Sequence, residues 1–135
     1  MGCDMANKMA VVVSTNEIDK LISVFNMALG GASMGMDVTL FFSFHGLELL
    51  KKDKSGDSYQ KPNPSLERMM AHPKFPSIDQ MVLMCKELGV KFIACTQSME
   101  FMGLTKEDLL PVVDQVAGVA TFLADAEDSK INFLV

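Results

Sequence analysis

Short apolar runs that do not alternate recur along this chain, each followed by a polar turn and a stretch of helical period. Met9-Ala10-Val11-Val12-Val13 is the first of these runs. Five consecutive apolar side chains fit a strand only if both of its faces are covered. Ser14-Thr15-Asn16-Glu17 follows as a strand-to-helix turn, with Ser14 and Glu17 at capping-box spacing. Ile18, Leu21, Ile22, Phe25 and Leu29 then recur at helical spacing, and Gly30-Gly31 with Gly35 reads as the close of that helix. Val38 to Phe44, rich in aromatic and β-branched residues, predicts a second strand. Ser77 to Gln80 is a second capping box, opening a helix with the face Ile78, Met81, Val82, Cys85 and Leu88 before Gly89. Lys91 to Cys95 predicts a third strand. A short helix capped by Thr105 runs through Leu110, and a weak fourth strand covers Val112 to Val116. A last helix over Val119 to Asp128 and a fifth strand over Ile131 to Val135 complete the series.

Strands alternating with helices predict an α/β fold with a mainly parallel sheet. Right-handed crossovers leave few topologies. The expectation is a single flavodoxin-like three-layer domain spanning residues 1–135, with a five-stranded sheet in the order 2-1-3-4-5. Residues 1–7 read as a flexible N-terminus. The rhythm breaks between Lys51 and Pro76, which holds four of the five prolines and the polar run KKDKSGDSYQKPNP. Segments of this kind serve as lids or partner-docking loops, so 51–76 reads as a long loop or lid.

Composition narrows the function classes. The chain is 49% hydrophobic and 21% charged, which is incompatible with a disordered protein. Its net charge of -5 comes without a cationic cluster, so a nucleic-acid binder is not expected. So apolar a surface implies burial against copies of the same chain. The longest uncharged stretch, Leu21 to Met36, is too short and too rich in small and polar residues to span a membrane. No signal peptide is apparent, and the expected location is the cytoplasm. The three cysteines form no CxxC pair, and the two histidines no HxH or HxxxH, so neither a disulfide framework nor a metal site is expected. GxGxxG, GxxxxGK[ST] and GxSxG are missing, and no cofactor is implied.

In a sheet of order 2-1-3-4-5, ligands sit beyond the carboxyl ends of strands 1 and 3. That would gather Ser14, Thr15 and Asn16 after the first strand and Cys95, Thr96 and Gln97 after the third, with Phe44, His45 and Gly46 nearby at the end of the second. A cysteine that closes a strand and precedes a helix faces free N–H groups, which favour a thiolate nucleophile. The competing reading is a small buried hydrophobe. Both stand on position alone. Cys85, on the apolar face of its helix, reads as core, and Cys3 as incidental. His45 is either a base or donor near Cys95 or a turn residue, and His72 reads as solvated.

Ala94-Cys95-Thr96-Gln97-Ser98-Met99-Glu100-Phe101-Met102-Gly103, taken as ACxxSMxxMG after a short strand, resembles the DsrE/DsrF-like sulfurtransferase family. Its DsrE-type, peroxiredoxin-like branch is the nearest in pattern. FFSFHGL, the Pro- and Met-rich insert and Ala117-Gly118-Val119-Ala120 extend the likeness over most of the chain. The resemblance implies trimers or hexamers. It also implies a cysteine, here Cys95, that carries sulfane sulfur as a persulfide or thiosulfonate in relay with TusA-type carrier proteins and rhodaneses. Ser98 and Met99 match the motif and are expected to shape the site. No cysteine follows Cys95, so a disulfide within that loop is excluded, and any carrier is expected to be a separate protein. The alternative is an oligomeric binding or assembly module whose cysteine is packed or redox-sensing. A thiol peroxidase is disfavoured, because no Thr/Pro-x-x-x-Thr/Ser-x-x-Cys arrangement precedes Cys95.

Overall fold

A computed structural model describes residues 7–53 and 60–135. The expectations for Cys3, for residues 1–6 of the N-terminus and for residues 54–59 of the insert lie outside these residues. Five parallel strands form one sheet: β1 (Lys8–Val13), β2 (Asp37–Phe42), β3 (Lys91–Cys95), β4 (Gln115–Ala117) and β5 (Ile131–Leu134). Helices α1 (Ile18–Ser33) and α3 (Ile78–Glu87) cover one face. They pack on Met9, Val11, Val13, Leu40, Phe42 and Phe92. α5 (Val119–Ala126) covers the other, where Phe122 meets Ala10, Phe41 and Ile93. The chain also forms α2 (Pro64–Met70), α4 (Thr96–Met102) and two 3-10 segments, Phe44–Leu50 and Lys106–Asp108. The flavodoxin-like three-layer class is therefore as expected.

The strand order is not. It runs β4-β3-β2-β1-β5, so β3 pairs with β2, and the seat beside β1 goes to β5. The reason is the placement of the helices. Crossovers of one hand that step in one direction put their helices on one face, and a reversal puts them on the other. Here α1 and α3 pack side by side on one face, and only α5 lies opposite, on the return from β4 to β5. Strand periodicity records burial on both faces and says nothing about which neighbour does the covering.

Local features differ as well. The helix does not stop at Gly30-Gly31 but runs to Ser33, and Gly35 takes the left-handed turn (φ 85) beyond it. Gly31 faces the sheet instead: a Cβ there would lie 2.7 Å from Met9 Cε and 3.2 Å from a Val38 methyl. Ser14 does not cap α1, because its Oγ donates to the Val135 carbonyl, and Glu17 occupies the N-cap without a side-chain capping bond. The Ser77–Gln80 capping box is formed reciprocally, and Thr105 caps a 3-10 turn with Asp108. The second half of the expected long loop is helix α2, opened by Pro64 and capped by Asn63, whose side chain accepts the Leu66 N–H at 2.9 Å. Among the described residues no helix is long and apolar enough to cross a membrane.

Candidate functional site

Cys95 is the last residue of β3 and the N-cap of α4, with extended backbone (φ -74, ψ 119). The ladder places it beside Ala117, the last residue of β4. Its side chain lies on the α5 face and is 2% exposed. The first N–H groups of α4 have no partner within the helix, and the Cys95 side chain makes no cap hydrogen bond to them. α4 ends at Gly103, whose left-handed backbone (φ 70) only glycine adopts cheaply.

Two of the expected site residues follow in α4 itself. Met99 is buried in the core with α1 and α3, and Ser98 is fully buried with no hydrogen-bond partner for its Oγ. Gln97 is exposed on the outer side of the same turn. The 3-10 helix Phe44–Leu50 packs against both α4 and β3, and so brings an exposed His45 to the rim. Thr15 and Asn16 are not brought to Cys95, because β2 lies between β1 and β3 and places them about 9–10 Å further across the sheet. Both are engaged locally. Thr15 Oγ1 accepts the Glu17 N–H at 3.0 Å, and the Asn16 carbonyl accepts the Gln60 N–H at 2.9 Å. The point where chain direction reverses now lies between β1 and β5. There Ser14 holds the Val135 carbonyl through both its N–H (2.8 Å) and its hydroxyl (2.9 Å).

Phe44 and Gly46, expected near the site with His45 from the end of the second strand, complete this rim. Phe44 has a positive φ of 47 and is 52% exposed. A bulky residue held there costs about 1–2 kcal/mol, and no local sequence signal announces it. Gly46 explains why the turn is held. A Cβ at Gly46 would lie 2.0 Å from the Val13 carbonyl oxygen, so the 3-10 helix rests directly on the end of β1. A lone glycine just beyond an aromatic strand was the available signal for such close approach.

Cys85 is fully buried on α3, and burial pushes its thiol from an ordinary value of 9.0 up to about 11. It is core, as its helical spacing predicts. Between pH 9 and about 11 the unfolded chain gives up this proton and the folded chain keeps it. Stability should therefore fall with rising pH by about 1.4 kcal/mol per unit in that window, and be unaffected by this group below it. Urea unfolding at a series of alkaline pH values checks this. Cys85→Ala should fall less steeply than the unaltered chain, and equal slopes would sink the assignment.

Among the described residues no three His, Cys, Asp or Glu side chains gather to hold a metal ion. An open apolar hollow of about 790 Å³ lies between α5 and the β1–β5 edge, lined by Val12, Leu123, Phe133 and Leu134 among others. Cys95 is not part of it.

Comparison with known proteins gives a consistent result. The model of the DsrE/DsrF/DrsH-like family matches residues 5–74 and 62–134. The chain is 28% identical to the uncharacterized protein YrkE of Bacillus subtilis, over 98% of its own length and 99% of the relative's. It is 27% identical to the sulfur carrier protein DsrE2 of Allochromatium vinosum, over 92% and 95%. In fold it is similar to protein MTH1491 of Methanobacterium thermoautotrophicum (TM-score 0.66, 13% identity, 95% of this chain and 98% of that one). The ychN protein of E. coli is comparable (TM-score 0.61, 14% identity, 95% and 99%).

Proposed function

The chain belongs to the DsrE/DsrF/DrsH-like family, and from that premise we propose that it traffics sulfane sulfur on Cys95, taking it from or passing it to a separate TusA-type carrier protein or a rhodanese. The observation that carries this reading is the junction itself. The single cysteine of the ACxxSM segment closes β3 and stands at the N-cap of α4, beside N–H groups that have no partner within the helix. A relative named as a sulfur carrier covers nearly the whole chain.

The chemistry balances without an outside oxidant. The Cys95 thiolate attacks the outer sulfur of a donor persulfide. The new S–S bond forms as the donor's S–S bond breaks, and the donor cysteine leaves as a thiolate with the electron pair. With tetrathionate the same attack leaves a thiosulfonate on Cys95 and releases thiosulfate. A second thiolate, on the carrier, then takes the sulfur by the reverse displacement. At 2% exposure the Cys95 sulfur is reached only when the 3-10 helix, α4 or α5 shifts. That suits protein-to-protein relay better than rapid turnover of a free anion. The segment that includes α2 would dock the carrier. The exposure of Leu123 (57%) and Leu134 (70%) supports a homo-oligomer, a trimer or hexamer that would cover them; the proposed place of action is the cytoplasm.

The test is intact-protein mass after incubation with a persulfidated carrier or tetrathionate. One equivalent of sulfur or thiosulfonate should appear on the unaltered chain and on Cys85→Ala, disappear in Cys95→Ser, and move to a carrier's cysteine when that protein is added. If Cys95 takes no adduct and also resists small alkylating reagents, the sulfur-carrier reading fails, and a packed cysteine in an assembly module replaces it.

A further inference from the structure

We propose that two hollows walled by Lys74, Phe75 and Pro76, between the α2–α3 link and helices α1 and α3, are the docking surface for an acidic segment of the carrier protein that also presents apolar side chains. The inference rests on the reading of this chain as a sulfur carrier, and it deepens that reading by naming the surface and the chemistry of the partner.

The link from α2 to α3 is held in one shape. The Phe75 N–H donates to the His72 carbonyl at 2.9 Å, and the Lys74 N–H donates to His72 Nδ1 at 3.0 Å. Pro73 and Pro76 flank this turn, each with a fixed φ, and Phe75 packs on the core. A turn fixed in advance costs little to order on binding. One hollow, of about 570 Å³, adds Gln80, Leu83 and Met84 of α3 to the shared wall. The other, of about 280 Å³, adds Ile22 and Asn26 of α1 with Met81. Leu83 is 57% exposed and Met84 44%, and methionine adapts readily to the shape of a partner.

Charge selects the occupant. The chain carries 17 acidic side chains against 12 basic ones, yet no carboxylate lines either hollow. Between Lys61 and Pro76 the sequence sets Lys61, Arg68 and Lys74 against Glu67 alone. These three cations are exposed, and among the described residues none of them makes an ion pair. Lys8, Lys20, Lys51 and Lys86, elsewhere in the fold, each meet a carboxylate. An apolar surface beside unpaired cations is complementary to a segment that carries carboxylates around apolar side chains. A second copy of this chain, with the same net charge of -5, meets the first with like charge.

The surface also lies at the end of the sheet that carries Cys95. The strands are parallel, so the carboxyl ends of β2 and β3 lie together, and the chain that leaves β2 returns to β3 through α3. The turn before α3 is therefore at that end. The Gln60 N–H, donating to the Asn16 carbonyl at 2.9 Å, ties the start of the same segment to the turn after β1. Cys95 faces the α5 layer, so the carrier grips the α1–α3 side and its cysteine arrives over the rim.

The experiment uses the full chain, the TusA-type carrier protein encoded in the same genome, and two variants, the double Arg68→Glu, Lys74→Glu and the single Leu83→Ser. Calorimetry measures carrier binding at low and at moderate salt. Intact mass follows sulfur leaving loaded Cys95 for the carrier and, separately, for dithiothreitol. The double charge reversal should weaken binding about tenfold at low salt and remove most of its salt dependence. Leu83→Ser should weaken binding several-fold and keep the salt dependence. In both variants the ratio of the carrier rate to the dithiothreitol rate should fall with the affinity. Binding undiminished by the double reversal would overturn the proposal, as would an unaltered chain that binds no carrier. An equal loss of both transfer rates would also overturn it, by tracing the defect to Cys95 itself. A shift of oligomeric state in the double reversal, with carrier binding intact, would assign the surface to copies of the chain instead. If the carrier binds as expected but Cys95 accepts no sulfur, the sulfur-carrier reading fails and the docking surface stands.

Discussion

Gly46→Ala should cost this fold about 3–5 kcal/mol, a large share of its stability. The added Cβ would meet the Val13 carbonyl oxygen at 2.0 Å, its carbon at 2.8 Å and the Ser14 nitrogen at 3.5 Å. All three are backbone atoms at the end of β1, and no side chain can rotate aside. The Val13 oxygen is further tied by accepting the Ser43 N–H at 3.0 Å. The 3-10 helix must therefore lift, and with it come Leu47 and Leu50, both fully buried. Each leucine contributes about 1.5–3 kcal/mol when buried, and domains of this kind hold only about 5–15 kcal/mol in total. Urea unfolding gives the comparison. A loss under about 1 kcal/mol would mean that this helix does not rest on β1. Since the same segment packs on α4 and β3, the variant should also expose Cys95 to alkylation.

Phe92→Ala should cost about 3–5 kcal/mol by a different route, the cavity left in the core. The ring is fully buried, with Phe25 at 6.4 Å and Phe42 at 5.2 Å between centroids, and the Lys86 ammonium lies 4.8 Å from its centre. These neighbours come from α1, β2 and α3, so no single shift closes the void. The backbone is held independently, by the Phe92 N–H donating to Asp114 Oδ2 at 2.8 Å, so the strand pairing survives the truncation. Phe92→Leu keeps most of the volume and should lose less than about 1.5 kcal/mol. A similar loss for both substitutions in denaturant unfolding would point to the ring contacts, not the volume, as the source.

The legible parts of this protein were those written in short windows. The run at Met9–Val13, the aromatic strand before Ser43 and the strand that ends on Cys95 each appear within a residue or two of their expected bounds. The capping box at Ser77 was legible because both partners lie within four residues. Ser14 failed the same rule for a tertiary reason. Its hydroxyl serves the Val135 carbonyl, 121 residues away, and no window around Ser14 contains that partner. Gly31 failed likewise, since its lack of a side chain is used by Met9 and Val38 and not by a helix end.

Cys95 was legible as a strand-ending cysteine before a helix, and Ser98 and Met99 were named only through the family resemblance of the same segment. What surrounds them was legible only in part. Thr15 and Asn16 were placed beside Cys95 by a strand order that the sheet does not adopt, whereas Phe44, His45 and Gly46, expected nearby from the end of the second strand, reach the rim because β2 is the neighbour of β3.

The sequence alone determined the kinds of element and their succession, because burial on one face or two imprints a period on neighbouring residues. Tertiary structure alone decided which strands pair, how deeply Cys95 is enclosed and which hydroxyl is left without a partner. Those outcomes depend on contacts between residues far apart in the chain, whose energies are shared among alternative packings until one arrangement satisfies the helices on both faces at once.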